Sequence, residues 1–328
     1  MLIRELDIGH WDLFRLIRSI RIIRNFMTVL ILGAQGMLGH ELATIFKGFK
    51  PILWDRPELD ITNKAQVNVK LTEIRPDLVI NAAAYTAVDD CETNRGLADK
   101  INGAAVGYLA QACKKISAIL VQYSTDYVFS GRKKTGYQEK DKPKTPVNYY
   151  GVSKLLGEKN LQKYTDKFYL IRTSWLYGKY GKNFVATMLD LAKKQIAGEL
   201  AAPLKIVNDQ FGKPTYARDL AKRTRELVES QKPFGIYHAT NEAGPEGISW
   251  YDFARGIFRE AVKLKLLVKM PKIKPCTSGE FLRPARRPKY SMLVNTKLPR
   301  SRTWQVALRE YLFSTENSLA TTGKQCKI

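Results

Sequence analysis

The chain has 328 residues, of which 45% are hydrophobic and 26% charged, a composition typical of a globular protein. No apolar run reaches the roughly 20 residues that a membrane-spanning helix needs, so an integral membrane protein is excluded. A total of 54 Lys and Arg against 31 Asp and Glu gives a formal net charge of +23. These charges are spread along the chain without any nucleic-acid-binding motif, so we expect no nucleic acid partner; a positive field would favour an anionic small molecule.

The four cysteines are widely spaced and form neither a CxxC pair nor a metal-ligand spacing: Cys91, Cys113, Cys276 and Cys326. This pattern is typical of unpaired thiols in a reducing compartment, and it predicts a cytoplasmic protein. No required metal is predicted.

Residues 1–26 differ in character from everything that follows, because five arginines alternate there with large apolar residues. One interpretation is an amphipathic helix lying on a membrane surface. The other, which we favour, is translation from an upstream start codon, since Met27 stands directly before the first predicted strand.

Short apolar runs alternate with helical segments from residue 29 to residue 171. The predicted strands are 29–32, 52–54, 77–80, 119–123 and 168–171, and the predicted helices are 40–46, 64–74, 98–114 and 150–163. Alternation at this spacing predicts a parallel sheet with right-handed crossovers.

The alternation loosens beyond residue 172. The predicted helices are 183–194, 219–230 and 249–263, the predicted strands are 206–207 and 236–239, and 271–289 is predicted to be a loop. We therefore predict an α/β fold: a Rossmann-type doubly wound parallel sheet over 27–171, a smaller C-terminal α/β substrate-binding region over 172–313, and a polar tail over 314–328.

A glycine-rich turn joins the first predicted strand to the first helix. Gly33, Gly36 and Gly39 would allow a tight turn and let the backbone approach a pyrophosphate at the helix N-terminus. About 20 residues later, at the end of the second strand, Asp55 would accept hydrogen bonds from the ribose of NAD. Its neighbour Arg56 would instead pair with the 2′-phosphate of NADP. The sequence leaves NADPH and NADH both open as the cofactor.

A YxxxK motif lies at the start of the predicted helix 150–163. Tyr150 and Lys154 are one turn apart and share a helix face, and an ammonium beside a phenol lowers the pKa of the phenol. Such a tyrosine can give a proton to a carbonyl oxygen during hydride transfer. Thr125 follows the strand 119–123, and ligands of this fold bind at the carboxyl ends of the strands. We predict that these three residues meet in one crevice as the catalytic set.

The GxxGxxG spacing and the YxxxK pair resemble the extended short-chain dehydrogenase/reductase family. Further blocks resemble one branch of it, the dTDP-4-dehydrorhamnose reductases, and lie at 81–89, 123–129, 172–178, 207–215 and 285–288. The resemblance spans about Thr28 to Phe313. It implies NAD(P)H-dependent reduction of the C4 keto group of dTDP-4-dehydro-L-rhamnose to dTDP-L-rhamnose, in nucleotide-sugar biosynthesis, by a protein that commonly forms homodimers.

The resemblance also implies individual roles. On the cofactor side, the pyrophosphate, adenosine and remaining dinucleotide contacts would come from Gly36, Met37, Leu38, Asp55, Asp60, Ile61, Ala84, Tyr85, Thr86 and Tyr123, with the Tyr150–Lys154 pair. On the substrate side, Thr125 would polarise the keto oxygen, Asp126 and Trp175 would contact the sugar, and Val88 would flank it. Two ordinary structural interpretations stay open, since Trp175 could be plain core and Asp126 a helix cap.

Related chemistries are weighed on the same residues. Sugar dehydratases of the extended family carry Thr-Asp-Glu where this chain has Thr125, Asp126 and Tyr127, and the missing glutamate argues against elimination. Two alternatives remain: a reductase of another nucleotide 4-keto sugar, and a non-catalytic regulatory subunit of methionine adenosyltransferase type. The intact catalytic set argues against the second. A basic cluster at 283–289 would either pair with the substrate diphosphate or face solvent.

Overall fold

The computed structural model describes residues 27–322, with side chains as far as Ser314. Both interpretations of residues 1–26 therefore lie outside the described residues. The strands are β1 Val29–Leu32, β2 Ile52–Trp54, β3 Leu78–Asn81, β4 Ile119–Thr125, β5 Phe168–Thr173, β6 Leu176–Tyr177, β7 Leu204–Val207, β8 Phe211–Gly212, β9 Thr215–Tyr216, β10 Gly235–His238, β11 Ile248–Ser249 and β12 Ile273–Cys276. The helices are α1 Met37–Ile45, α2 Lys64–Ile74, α3 Arg95–Ala98, α4 Ala105–Ile116, α5 Tyr149–Tyr164, α6 Phe184–Ile196, α7 Ala217–Glu229, α8 Trp250–Lys263 and α9 Trp304–Thr322.

A six-stranded parallel sheet, in the order β10-β5-β4-β3-β1-β2, forms the centre of the molecule. Because successive side chains of a strand point to opposite faces, β1 contributes to two cores. Val29 and Ile31 pack in one core with α1 and α7, while Leu30 and Leu32 pack in the other with α2, α4 and α5. Helices on both faces of a parallel sheet confirm the predicted Rossmann-type α/β class.

The large sheet is not completed by the first half of the chain. Its outer strand β10 pairs with β5 through Gly235↔Tyr169 to His238↔Arg172, and α7 packs on α1. Both elements come from the region that was assigned mainly to substrate binding. The chain thus leaves the sheet at residue 173 and returns to it some sixty residues later.

The remaining elements form a second lobe around an aromatic core in which Phe253, Trp304 and Tyr311 are buried. The helix predicted over 249–263 is present as α8, with Ser249 as its N-cap and Asp252 completing a capping box. The prediction of a loop over 271–289 is wrong at its start, because β12 pairs there with β7 in parallel. Helix α9 continues to Thr322, past residue 313 where the tail was expected to begin.

No helix within residues 27–322 has the length and apolar character needed to cross a membrane.

Candidate active site

The glycine turn (residues 33–39) lies between β1 and α1. Gly33 has a φ of +72°, and a Cβ there would come within 2.7 Å of the backbone nitrogen of Ala83. A Cβ on Gly39 would overlap the carbonyl oxygen of Gly33, so the turn and the helix can pack this closely only because both residues lack a side chain. Gly36 is the N-cap of α1 and has no side chain to satisfy the first N–H groups of the helix. Those groups are left available for an anion.

Asp55 at the end of β2 is fastened to this turn, because its Oδ2 accepts from the backbone N–H of Gln35 at 2.9 Å. Its neighbour Arg56 is largely exposed, with a weak contact to Asp60 at 3.9 Å. Asp60 itself accepts from the hydroxyl and the backbone N–H of Thr62, and these hydrogen bonds hold the pKa of its carboxyl below the ordinary value. Asp55 and Arg56, the two residues predicted to contact the adenosine half of the cofactor, thus lie at the edge of the glycine turn.

The segment after β3 is held by an irregular helical turn. Residues Asp99–Ala104 form a π-helix between α3 and α4, and Asn102 within it is buried. Its side chain donates to the carbonyl of Tyr85 at 2.9 Å, accepts from the N–H of Tyr85 at 2.9 Å, and donates to Ser153 of α5 at 3.0 Å. Asn102 therefore ties the 84–86 segment to the helix that carries the YxxxK motif, a contact that sequence reasoning missed. Within that neighbourhood Thr86 is exposed, while Ala84 and Val88 are half-buried.

Helix α5 begins with the YxxxK motif, capped by the side chain of Asn148, which accepts from the N–H of Gly151 at 2.8 Å. The helix approaches the end of β4 closely, since a Cβ on Gly151 would overlap the carbonyl oxygen of Tyr127. The ring of Tyr150 lies edge-on to that of Tyr127, with centroids 6.0 Å apart. Burial raises the pKa of Tyr150 well above its ordinary value, with the nearby Asp126 adding to the effect.

The ammonium group of Lys154 is hydrogen-bonded to the backbone of β4. Its Nζ is buried and donates to the carbonyl of Tyr123 at 2.8 Å. The expected low pKa of Tyr150 is not found: burial raises this pKa and outweighs any opposing effect of the lysine. Burial lowers the pKa of Lys154 to about 8, which the carboxylate of Glu158 opposes. The ring of Tyr123 is also buried, its hydroxyl 2.7 Å from that of Thr224, so its carbonyl is the atom it presents to Lys154.

Thr125 and Asp126 meet at the carboxyl end of β4. The Thr125 hydroxyl donates to Asp126 Oδ1 at 2.9 Å and accepts from the N–H of Tyr127. Thr125, rather than Asp126, is thus the cap of the short helical turn that follows. Asp126 is 2% exposed, and its Oδ2 has no hydrogen-bond partner. Burial raises the pKa of this carboxyl to about 7, so the group exchanges its proton near physiological pH.

Trp175 follows β5 and is half-buried, stacked on Trp250 at 3.5 Å between ring centroids. Its backbone has a φ of +47°, and its ring fills the space that a Cβ on Gly212 would need. These contacts pack the ring against the second lobe and leave part of the side chain exposed. Trp250, on which it stacks, lines a large cleft of the second lobe.

The cleft has a volume of about 630 Å³. Its walls combine aromatic, aliphatic and basic side chains from five separate segments: Tyr127, Phe184, Met188, Lys205, Trp250, Phe281, Leu282, Arg283, Arg286 and Arg287. Sequence reasoning missed Phe184, Lys205 and Trp250, since none of them lies in a recognisable motif. The basic cluster divides, because Arg287 is bound to Asp89 and Arg283 approaches the same carboxylate at 3.8 Å. Arg286 is exposed at the cleft.

Among residues 27–322, no group of three or more His, Cys, Asp or Glu side chains is placed to hold a metal ion.

The family model for the RmlD substrate binding domain matches residues 27–317. A dTDP-4-dehydrorhamnose reductase of Aggregatibacter actinomycetemcomitans is 39% identical over 294 residues, which cover 86% of this chain and 97% of that protein. A probable dTDP-4,6-dihydroxy-2-methyloxan-3-one 4-ketoreductase of Streptomyces antibioticus is 38% identical, with 87% and 94% covered.

Among solved structures, that of dTDP-4-dehydrorhamnose reductase from Bacillus anthracis in complex with NADP superposes with a TM-score of 0.80 at 37% identity, covering 88% of this chain and 99% of that chain. The family model spans far more than half of the chain, and the relatives are matched over nearly their whole length. The resemblance inferred from the sequence blocks is therefore confirmed, and the chain belongs to the RmlD substrate binding domain family, which includes the dTDP-4-dehydrorhamnose reductases.

Proposed function

We propose that this protein is an NAD(P)H-dependent reductase that converts the C4 keto group of dTDP-4-dehydro-L-rhamnose to the hydroxyl of dTDP-L-rhamnose. The observation that carries the proposal is the convergence of Thr125, Asp126, Tyr150 and Lys154 where β4 ends and α5 begins. This grouping of a proton donor, a hydroxyl and a buried ammonium suits carbonyl reduction, and it stands on a fold whose relatives are named for that reaction.

The glycine turn fits a dinucleotide. Any side chain at Gly33 or Gly39 would fill the space that the close turn needs, and the uncapped N-terminus of α1 is suited to a pyrophosphate. Asp55 or Arg56 would contact the adenosine ribose, and Ala84, Tyr85 and Thr86 would line the dinucleotide. When bound, the reduced nicotinamide supplies the hydride for C4.

The protein's own residues handle the proton and the developing charge. Tyr150 donates its phenolic proton to the C4 oxygen as that oxygen becomes negative, since its raised pKa keeps it protonated at neutral pH. The Thr125 hydroxyl, which donates to Asp126 in the free protein, donates to the same oxygen instead when the sugar is bound and thereby polarises the carbonyl. Lys154 stabilises the negative charge left on Tyr150 and holds the nicotinamide ribose. Asp126, near neutrality, can donate a hydrogen bond to a sugar hydroxyl from its unpartnered oxygen.

The substrate cleft suits the nucleotide half of the substrate. Its volume lies within the range of small-ligand sites, and the Phe184 and Trp250 rings offer flat apolar surfaces for a base. Lys205, Arg283 and Arg286 offer positive charge for the diphosphate. We assign Trp175 and Val88 to the sugar end, as the family resemblance implies.

The test is whether the purified protein reduces this keto sugar with either cofactor. The protein would be mixed with NADPH or NADH and with dTDP-4-dehydro-L-rhamnose, and loss of nicotinamide absorbance followed together with product mass. Sugar-dependent oxidation that forms dTDP-L-rhamnose supports the proposal, and the faster cofactor shows whether Asp55 or Arg56 governs the choice. Cofactor binding without turnover of this sugar contradicts the proposal and favours either another nucleotide 4-keto sugar as substrate or the regulatory-subunit alternative.

A second candidate substrate is motivated by the Streptomyces antibioticus relative, which is named as a ketoreductase of a different dTDP sugar at a similar level of identity. The same assay with that 4-keto sugar separates the two, because the preferred substrate has the higher kcat/KM.

We also propose that the protein works in the cytoplasm as a homodimer, as the family resemblance implies. Sedimentation at several protein concentrations tests the oligomeric state, and a monomer throughout contradicts the dimer.

A further inference from the structure

A buried ion pair lies one helical turn beyond Lys154. Glu158 of α5 and Arg172 of β5 are 2% and 1% exposed, and they form two hydrogen bonds, at 2.7 Å to Oε2 and 2.9 Å to Oε1. Arg172 also lies over the ring of Phe129, 5.0 Å from its centroid. Two charges removed so completely from water have a large desolvation cost, so a pair retained here calls for a functional explanation.

Glu158 is the negatively charged group that contacts Arg172. The other polar group near the guanidinium is His238 Nε2 at 3.4 Å. Burial and the Arg172 charge lower the pKa of His238 to about 3, so the ring is neutral at physiological pH. The neutral ring donates or accepts a hydrogen bond without competing for the carboxylate.

Glu158 also connects the two elements that carry the proposed catalytic residues. Its Oε1 accepts from the hydroxyl of Ser124 at 2.6 Å, and Ser124 stands directly before Thr125 and opposite Arg172 in the sheet. Four residues earlier on the same helix face, Lys154 donates to the carbonyl of Tyr123. Helix α5 is therefore fastened to Tyr123 and Ser124 near the end of β4 by two hydrogen bonds, one of which ends on Glu158.

The charge of Glu158 acts on Lys154 as well. Burial lowers the pKa of that amine, and the carboxylate one turn away is the charge that opposes this shift.

We propose that Glu158 is a positioning residue for the reduction: bound by Arg172 and Ser124, it keeps Lys154 in the ammonium form and fixes Lys154 and Thr125 relative to each other. The inference rests on the proposed function, in which those two residues act on the keto oxygen and on Tyr150.

The experiment replaces the charge and keeps the shape, with Glu158→Gln in the full chain. Two pH profiles are measured: kcat with NADPH and dTDP-4-dehydro-L-rhamnose, and the Kd for NADPH from tryptophan fluorescence. Loss of the carboxylate lowers the pKa of Lys154, so the basic limb of both profiles should move to lower pH by about one pH unit. At pH 8 we expect kcat to fall about tenfold, with KM for the sugar nearly unchanged.

The matched control is Asp219→Asn, which breaks the partly buried ion pair between Asp219 and Arg302 at 2.8 Å, away from the catalytic group. It should lower the Tm and leave both pH profiles in place, which separates positioning from general destabilisation. If Glu158→Gln leaves an uncompensated Arg172 and does not fold, the double variant Glu158→Gln/Arg172→Met removes both charges and is judged by the same profiles.

Unshifted profiles in a folded variant overturn the inference. If the wild-type chain turns over no keto sugar, the proposed function fails, and the NADPH-binding profile still decides the role of Glu158: a shifted basic limb supports it and an unshifted limb overturns it.

Discussion

The glycine turn and the substrate cleft are built in opposite ways. The turn is made almost entirely by backbone, within seven consecutive residues, where the absence of side chains at Gly33 and Gly39 is what permits the geometry. The cleft is made by side chains drawn from segments as far apart as Tyr127 and Arg287. A local site of the first kind tolerates almost no change in its own residues, whereas a dispersed site of the second kind distributes its binding free energy over many contacts.

The proposed catalytic residues, Thr125, Asp126, Tyr150 and Lys154, are intermediate between these two kinds of site. We expect the largest effect from a substitution among them. Tyr150→Phe removes the proton donor and should lower kcat about 1,000-fold, since general acid catalysis contributes on that scale. The Kd for NADPH, measured by fluorescence, should stay within about twofold of wild type. The adjacent Tyr149→Phe is the control, because Tyr149 bonds Asp99 at 2.6 Å and should cost little activity when that bond is lost. Near-full turnover by Tyr150→Phe would show that another group is the acid.

The backbone-built site should break on a single methyl group. Gly39→Ala places a Cβ against the carbonyl oxygen of Gly33 and within 2.7 Å of Ala34, so the turn must move. A displacement of this kind should weaken NADPH binding about 100-fold, as measured by fluorescence titration. Gly96→Ala, where a Cβ meets nothing within 4 Å, should bind normally. Equal affinities for the two variants would contradict the view that the turn holds the pyrophosphate.

The side-chain-built site should respond more gently. Arg286→Ala removes one of several positive charges at the cleft, so KM for the nucleotide sugar should rise about tenfold while kcat and the Kd for NADPH change little. Arg259→Ala, an exposed arginine of α8, is the charge-matched control and should leave KM unchanged. A fall in kcat with unchanged KM would mean that Arg286 acts on the chemistry rather than on binding.

The smallest effect concerns the thermal stability of the folded protein and comes from the buried carboxyl of Asp126. The folded state raises the pKa of Asp126 from 3.8 to about 7, so the folded protein holds a proton that the unfolded chain has already released. Stability from this group is present at low pH and is lost as the pH rises through about 7. Asp126→Asn is neutral at every pH, so its Tm should exceed that of wild type by about 5 °C at pH 8 and by less at pH 5. A Tm advantage that does not grow with pH would contradict the buried, near-neutral carboxyl.

The same contrast explains what could be predicted from the sequence. The turn, the YxxxK helix and the order of strands and helices up to β5 follow from local spacing, so they could be predicted from single segments. Strand β12 was missed because Ile-Lys-Pro-Cys shows no alternation of polar and apolar residues, and its pairing with β7 is set by tertiary contact. The position of Lys154 on the Tyr123 carbonyl, and the Arg172–Glu158 pair, depend on how α5 meets β4 and β5, which no local pattern encodes.

The return of β10 to the large sheet has a consequence for how the chain folds during synthesis. Until Gly235–His238 leave the ribosome, strand β5 is the sheet's edge, with its hydrogen-bonding groups and buried apolar side chains lacking a neighbour. At typical rates of translation, the residues between the two strands take on the order of 3–13 s to emerge. During that interval the nascent chain carries an exposed edge strand that is prone to aggregation. A chaperone that covers Phe168–Thr173 would protect the chain during this interval.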